Sequence, residues 1–355
     1  PSWGLKAVVS AGQGHKDQLR EAIQRLSTDV PRETVFVHHG WRRIETNWCY
    51  RHANGCLGRD DVQVEPDQVL RRYALPTAPV TDDQTRAAIL ASLKILDIAP
   101  HRVTVPLYSA TWLAPLAMIL RPTFAMWPYG ATGALKSTVA ALICSHFGTF
   151  TVDCPPITWS ATSNAIERAL AIARDLLLWC DNVRPDDSRT GQRELAAKIQ
   201  TVLHAIGDGQ GRARLRSDTS SRATYTPAGL IISTAELFPT GASTIARAFP
   251  VKMEHGDVQL DKLTACQAET SQYPIAMSGY LRWLAPQMDQ LRATLPADRD
   301  TLRVKAYQQG AHLRAPEQVA TLALGFGTFL RYAVEVGALT ESAADDLTAD
   351  AWESL

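Results

Sequence analysis

The sequence contains few of the features that assign a chain to a class at once. Its six cysteines are scattered and include no C-x-x-C pair, which argues against a disulfide framework and excludes the common zinc-site spacings. Lys plus Arg and Asp plus Glu both number 36, so the formal net charge is zero and there is no global basic field to attract nucleic acid. Any contact with a polyanion must therefore come from a local patch.

Long apolar runs are also absent. None reaches the roughly 18 uninterrupted residues of a membrane-spanning helix. Residues 103–120 come closest, but polar residues and two prolines interrupt them, which favours a buried helical pair. The first residues carry no signal-peptide pattern and start abruptly, as a fragment of a longer protein would. We therefore expect a soluble, cytoplasmic protein with no membrane partner.

Length and periodicity predict four regions in a chain of 355 residues. Residues 1–76 are expected to form a small N-terminal α+β module, and residues 77–122 a helical linker region that begins with a proline-rich segment. Residues 123–260 alternate strands and helices, as in a parallel sheet covered by helices. Residues 261–355 are expected to form a helical C-terminal lid.

Individual elements are predicted from the same periodicity. The expected helices are at 17–26, 82–96, 138–147, 164–174, 280–295 and 316–336. The expected strands are at 33–38, 124–127, 150–153, 176–180, 229–234 and 248–253, with a hairpin around 48–50.

The most informative stretch is GATGALKS at residues 130–137, between an apolar run and a helix-like segment. Phosphate-binding loops have the pattern G-x-x-x-x-G-K-[ST], and Leu135 replaces the glycine before the lysine. We expect Leu135 to adopt a helical backbone easily. Backbone N–H groups of such a loop bind phosphates, the lysine reaches the terminal phosphates and the hydroxyl ligates Mg²⁺. The predicted ATP-binding residues are Gly130, Ala131, Thr132, Gly133, Ala134, Leu135, Lys136, Ser137 and Thr138. The alternative is an ordinary glycine-containing turn from strand to helix.

A second apolar strand ends at Asp181, about 45 residues after the loop. This pattern is typical of a Walker B strand, whose aspartate holds Mg²⁺, so Ser137 and Asp181 are the predicted magnesium ligands. Many such ATPases have an acid next, which activates the attacking water. Here Asn182 follows, and an amide orients a water without accepting its proton. The alternative is a buried strand that ends at a solvated aspartate.

A third apolar strand ends at Thr234, with Glu236 close behind. Many ring ATPases carry a polar sensor at this place, between the Walker B strand and the phosphate-loop strand, so Thr234 is predicted to contact the γ-phosphate or its water. Arg247 precedes the next strand and is a candidate arginine finger supplied across a subunit boundary. The alternatives are strand-end residues in a turn and a surface arginine.

A basic segment lies between Asp181 and Thr234. Strand geometry would align Arg212, Arg214 and Arg216 on one face, where they could follow the phosphates of a nucleic-acid strand without reading its sequence. A solvated edge strand that uses charge against aggregation and a subunit contact to nucleotide are the alternatives.

Several of these stretches together resemble a "domain of unknown function" ATPase family found beside primase or primase-polymerase domains in bacterial mobile elements. The shared stretches include VHHGWRRI, GATGALKS and GRARLRSD before GLIISTAE, and the likeness spans about residues 3–331. Relatives in staphylococcal cassette elements are similar to minichromosome-maintenance helicases. The resemblance thus implies a P-loop AAA+ α/β core in a hexameric ring that moves on single-stranded or forked DNA.

The resemblance also implies roles by position. Lys136 and Ser137 fall on Walker A, Asp181 on Walker B, Thr234 on sensor 1 and Arg247 on the trans arginine. It further places Arg212–Arg216 on a DNA-contacting hairpin, and Arg314 resembles a sensor 2 arginine, although a plain arginine at a helix start is the alternative. Two departures are Asn182 and Ile245, where the family has an acid and an arginine, so Glu236 becomes a candidate base.

The favoured hypothesis is an ATP-driven DNA helicase or translocase that uses ATP and Mg²⁺ in the replication of a mobile genetic element. A second hypothesis is a slowly hydrolysing, nucleotide-gated module that recruits a primase or another replication partner. A non-nucleotide structural domain is the third.

Overall fold

The computed structural model describes residues 12–27, 35–185, 187–209, 225–307 and 314–355. The chain divides into two compact units, Pro1–Val35 and Phe36–Leu355. Within the first unit, helix α1 (His15–Leu26) begins after its N-cap residue Gly14, which has a φ of +83°. The helix predicted at 17–26 is confirmed.

Short strands and a hairpin come next. These are β1 (Val35–Phe36), β2 (Gly40–Ile44), β3 (Asn47–His52), β4 (Gly55–Leu57) and β5 (Gln63–Val64). Strands β2, β3 and β4 form an antiparallel sheet in which Trp41 lies opposite Tyr50. Both rings are buried, and their centroids are 5.2 Å apart in an edge-to-face arrangement. The predicted hairpin is confirmed, and its residues Trp41 and Tyr50 belong to the core, while Trp48 is partly buried.

Three helices follow: α2 (Asp82–Leu93), α3 (His101–Leu113) and α4 (Ala117–Leu120). Helix α2 begins with a capping box between Thr81 and Gln84. The stretch His101–Leu120 is long and apolar enough to cross a membrane, but 89% of its 18-residue apolar window is buried inside the protein. Trp112 on α3 stacks on Phe329 at 3.9 Å. This stretch is therefore packed as a core helix, as its interrupted apolar pattern predicted.

The central sheet contains β6 (Ala125–Tyr129), β7 (Ile157–Thr158), β8 (Leu177–Val183), β9 (Leu230–Ala235) and β10 (Ala248–Lys252). Its five strands are parallel, in the order β10–β6–β9–β8–β7. Strands buried on both faces are nearly continuous apolar runs, which is why β8 and β9 were predictable. All carboxyl ends lie at one edge, and β9 lies between β6 and β8.

The strand predicted at 150–153 is wrong. Cys154 N–H donates to Thr151 O at 3.2 Å in a turn, and two prolines without N–H groups follow. Phe150 is apolar because it packs against Tyr73, with ring centroids 4.8 Å apart. The strand in this part of the sheet is β7, seven residues later than predicted.

Helices α5 (Lys136–Cys144), α6 (Ser163–Ile172), α7 (Arg189–Asp208) and α8 (Ala242–Ile245) connect and cover these strands. The C-terminal part is helical, as predicted, with α9 (Leu260–Ala268), α10 (Tyr273–Leu284), α11 (Met288–Tyr307), α12 (Ala315–Glu335) and α13 (Glu341–Ser354). The single helix predicted at 280–295 is wrong: a 3-10 turn at Ala285–Gln287 separates α10 from α11. Pro286 accounts for the break because it lacks an N–H.

Candidate nucleotide-binding site

Residues 130–135 join β6 to α5 at the carboxyl edge of the sheet, and neighbouring strands fix where they start. Gly130 N–H donates to Ala235 O at 3.2 Å, at the end of β9. A Cβ on Gly130 would lie 2.0 Å from Met253 O, just after β10. Only glycine fits between these two segments, so the first glycine of the motif has a steric reason.

Leu135 does not have the helical backbone predicted for it. Its φ is +60° and its ψ is 21°, in the left-handed region that glycine adopts without strain. This explains why the usual pattern has glycine here. The leucine side chain is half-buried against the hydrophobic core, and this burial offsets part of the backbone cost.

Lys136, the first residue of α5, points back across the loop. Its Nζ donates to Ala131 O at 2.7 Å, and the residue is only 6% exposed. Burial lowers the pKa of this lysine, while the charges of Glu236 and Asp181 act in the opposite direction. A buried cation at a helix N-terminus, held by one backbone carbonyl, is well placed to exchange that partner for a phosphate oxygen.

Three side chains from three elements meet at one carboxylate oxygen. Ser137 Oγ, in the first turn of α5, donates to Asp181 Oδ1 at 2.7 Å. Thr234 Oγ1, near the end of β9, donates to the same oxygen. They meet because β8 and β9 are parallel neighbours, with Cys180 opposite Ser233. The predicted phosphate-loop hydroxyl, acidic strand end and polar sensor strand therefore form one cluster.

Two further predicted residues lie at this edge. Glu236 Oε1 accepts a hydrogen bond from Thr132 Oγ1 at 2.8 Å, so a carboxylate stands beside the loop. Asn182 follows Asp181, and its side-chain oxygen is buried without a hydrogen-bond partner among the described residues. The loop residues Ala131, Thr132 and Gly133 are exposed, Ala134 is buried, and Thr138 is half-buried on α5.

Arg247 and Arg314 lie elsewhere. Arg247 O accepts from the N–H of Ala125, the first residue of β6, so Arg247 is at the amino edge of the sheet. The residue is only 7% exposed, and its guanidinium donates to Asp208 Oδ1 at 2.6 Å and to Ser243 O at 2.8 Å. The hydrogen bond from Arg247 is the main cause of the lowered pKa of Asp208, and the charge of Arg314 adds to it. Neither arginine meets the loop of its own chain.

Arg212, Arg214 and Arg216 lie outside the described residues, so their alignment stays a prediction. The segment that carries them follows the carboxyl end of α7, which closes at Gly209.

Ser137 and Asp181 fit magnesium. Both supply hard oxygen ligands, and Mg²⁺ is usually held by one or two protein oxygens together with substrate phosphates and water. Within the described ranges, no group of three or more His, Cys, Asp or Glu side chains is arranged to hold a metal ion by itself. A cation at this place would therefore need oxygens from a bound ligand.

One residue beside the loop was missed by sequence reasoning. His255 lies just after β10, and a Cβ on Gly133 would be 3.5 Å from its Nε2. The signal was available, because segments that follow parallel strands gather at the same edge of the sheet. The sequence around His255 matches no motif, and so only the strand order identifies it.

Comparison with known proteins supports a helicase-like fold. Residues 101–225 match the Domain of unknown function family DUF927, a range that includes the loop, Asp181 and Asn182. The structure of the SCCmec type IV Cch active helicase aligns with 97% of this chain at 15% identity and a TM-score of 0.58. The chain covers 64% of that protein. No curated protein matches the chain.

More remote structures include the apo NrS-1 C-terminal region, at 11% identity and a TM-score of 0.36 over 95% of this chain and 78% of that one. The JCV helicase with a bound small molecule aligns at 13% identity and a TM-score of 0.32, over 70% of this chain and 67% of that one. The likeness to the Cch structure shows the fold alone, a mixed α/β fold whose central sheet has five parallel strands in the described part of this chain.

Proposed function

We propose that this chain is the ATP-hydrolysing motor of a DNA helicase or translocase. The meeting of Ser137, Thr234 and Asp181 at one carboxylate oxygen supports this most directly. A polar strand between the loop strand and the acidic strand is also the arrangement of the ring ATPases that the sequence resembles. We therefore place the core in the P-loop AAA+ class.

In this proposal the backbone of residues 130–135 and the N-terminus of α5 cradle the phosphates of ATP, and Lys136 leaves Ala131 O to pair with the terminal phosphates. Ser137 and Asp181 hold Mg²⁺, which stabilises the charge that develops on the transferred phosphoryl group. Thr234 keeps the Asp181 carboxylate oriented and senses the terminal phosphate. Loss of Ser137 or Thr234 leaves that carboxylate with one donor fewer.

The assembly is proposed from likeness and charge. The Cch protein, an active helicase, shares the fold across nearly the whole chain. The arginine-rich segment at 212–216 supplies the local basic patch that a neutral chain needs for single-stranded or forked DNA. We propose a cytoplasmic hexameric ring, with Arg247 released from Asp208 to serve a neighbour's nucleotide. A primase or primase-polymerase partner in the replication of a mobile element completes the proposal.

The test is ATP hydrolysis by the purified chain with and without single-stranded DNA. We expect DNA to stimulate turnover and Lys136→Ala to abolish it, because the phosphates lose their buried cation. Lys262→Ala, an exposed lysine on α9, is the matched control and should behave as wild type. Turnover no higher than that of Lys136→Ala would overturn the proposal.

Asn182 supports a second candidate function, a nucleotide-gated module that stays bound to ATP and recruits a primase or another partner. An amide cannot accept the proton of the attacking water, and a missing general base slows a reaction by roughly 10²–10⁴-fold. Glu236, held by Thr132, is the acid that could take this role instead. Both possibilities concern the same bound nucleotide.

Two substitutions separate these candidates. If the chain is a gated module, Asn182→Asp should raise hydrolysis at least tenfold, and Glu236→Gln should change little. If Glu236 is the base of a working motor, Glu236→Gln should lower turnover by about 10²-fold. ATP binding, measured in parallel, should survive both changes.

A further inference from the structure

The two ends of a bound nucleotide can be assigned from the strand order. The residues proposed to hold Mg²⁺ and sense the terminal phosphate, Asp181 and Thr234, are on β8 and β9, to one side of the loop strand β6. On the other side of β6 lies β10. A nucleotide whose terminal phosphate lies towards β8 and β9 must direct its ribose and base towards the segment after β10.

That segment is a tightly held turn. Met253 N–H donates to Tyr129 O at 2.8 Å, and Glu254 N–H donates to Asp257 Oδ2 at 2.8 Å. Arg102, in the first turn of α3, clamps the turn from outside. Its guanidinium donates to Lys252 O at 2.8 Å and to Asp257 Oδ1 at 2.6 Å.

His255 stands at the apex of this turn. It is exposed, and its Nε2 is 3.5 Å from the place a Cβ on Gly133 would occupy. Gly133 is itself exposed at the tip of the loop, with a φ of +89°. The imidazole therefore borders the mouth of the loop on the β10 side, and it makes no hydrogen bond or ion pair with any other described residue.

We propose that His255 is a specificity-determining residue that contacts the nucleoside part of the bound nucleotide. This inference rests on the proposed function, because it takes the loop as the phosphate site. The imidazole offers an N–H donor or nitrogen acceptor to ribose hydroxyls and base edges, and a flat face to the base. Arg102 acts as a positioning residue, since it fixes the turn through Asp257 without reaching the loop.

The test compares ligands with and without a nucleoside. Dissociation constants of ATP, ADP and inorganic tripolyphosphate are measured by calorimetry for the full chain, His255→Ala, His255→Gln and Lys136→Ala. His204→Ala, on α7 at the opposite edge of the sheet, is the matched control. Because His255 is exposed, its variants should fold, which their unfolding midpoints check.

We expect His255→Ala to weaken ATP and ADP by the same factor, about tenfold, which is ~1.4 kcal/mol. Tripolyphosphate binding should not change, and His255→Gln should recover part of the loss. Lys136→Ala should weaken all three ligands, and His204→Ala none. Unchanged ADP affinity in His255→Ala would overturn the inference, and so would an equal loss of tripolyphosphate. A wild-type chain that binds none of the three would instead overturn the proposed function, and the inference with it.

Discussion

Leu135 allows a direct test of the loop's backbone conformation. In an ordinary helical position alanine is more stable than glycine by about 1 kcal/mol. At a φ of +60° the order should reverse, because the side chain of any other residue is crowded there and glycine has none. Replacing Leu135 by alanine and by glycine removes nearly the same burial in both cases, so their difference reports the backbone alone.

The magnitude follows from two opposing terms. A non-glycine residue in the left-handed conformation costs roughly 1–2 kcal/mol. Glycine loses more chain entropy on folding, which offsets roughly 0.4–1 kcal/mol of that gain. Leu135→Gly should therefore be about 1 kcal/mol more stable than Leu135→Ala. A helical backbone would instead make Leu135→Ala about 1 kcal/mol more stable than Leu135→Gly. The stability difference between the two variants therefore differs by about 2 kcal/mol between the two backbone conformations.

Urea unfolding at 25 °C measures the difference, provided that the m-values of the two variants agree. Ala293→Gly, at an exposed position within α11, is the control and should lose about 1 kcal/mol. If Leu135→Ala proved as stable as Leu135→Gly or more so, the left-handed assignment would be refuted.

Two other predictions concern stability. Burial lowers the pKa of His39 to about 3, so below pH 6.5 the unfolded chain binds a proton that the folded chain does not. Stability therefore decreases as the pH decreases. When the pH is lowered from 7.5 to 5.5, the free energy of unfolding of His39→Leu, measured in urea, should fall by about 1 kcal/mol less than that of wild type. Burial raises the pKa of Asp175 to about 7, and this carboxyl has the opposite effect on stability, equally in both proteins. Tyr73→Phe should lower the free energy of unfolding by about 2 kcal/mol, because the Tyr73 hydroxyl accepts from Trp179 N–H and donates to Leu177 O inside the core. Tyr332→Phe should lower it little, because the Tyr332 hydroxyl has no partner among the described residues. Equal losses for the two tyrosines would contradict this.

The sequence predicted the elements that carry strong local signals. Strands β6, β8 and β9 are apolar runs buried on both faces, and the loop between β6 and α5 has a motif with a steric basis at Gly130. Errors arose where apolar residues serve another purpose. Phe150 is apolar because it packs on Tyr73, which left β7 misplaced. Leu135 was misjudged because composition does not reveal a left-handed backbone.

Contacts between distant segments could not be predicted. That Arg247 pairs with Asp208 depends on the end of α7 meeting the start of β10, which neither local sequence specifies. His255 reaches the loop only because β10 lies beside β6. These contacts depend on the order of the strands in the sheet. A single sequence predicts that order only where it resembles a known family.

The candidate nucleotide site lies at the carboxyl edge of the sheet and Arg247 at the amino edge. Helix α7 connects the two edges. It begins shortly after β8 leaves the carboxyl edge, near Asp181, and ends at Asp208, which holds Arg247 at the amino edge. Twenty helical residues span about 30 Å. The arginine-rich segment of the chain follows directly. One continuous helix therefore lies between the segment that follows β8 and the ion pair of Arg247, and it leads directly to the start of the arginine-rich segment. Because Asp208 belongs to α7 and not to the sheet, the position of this helix decides whether Arg247 stays paired within its own chain.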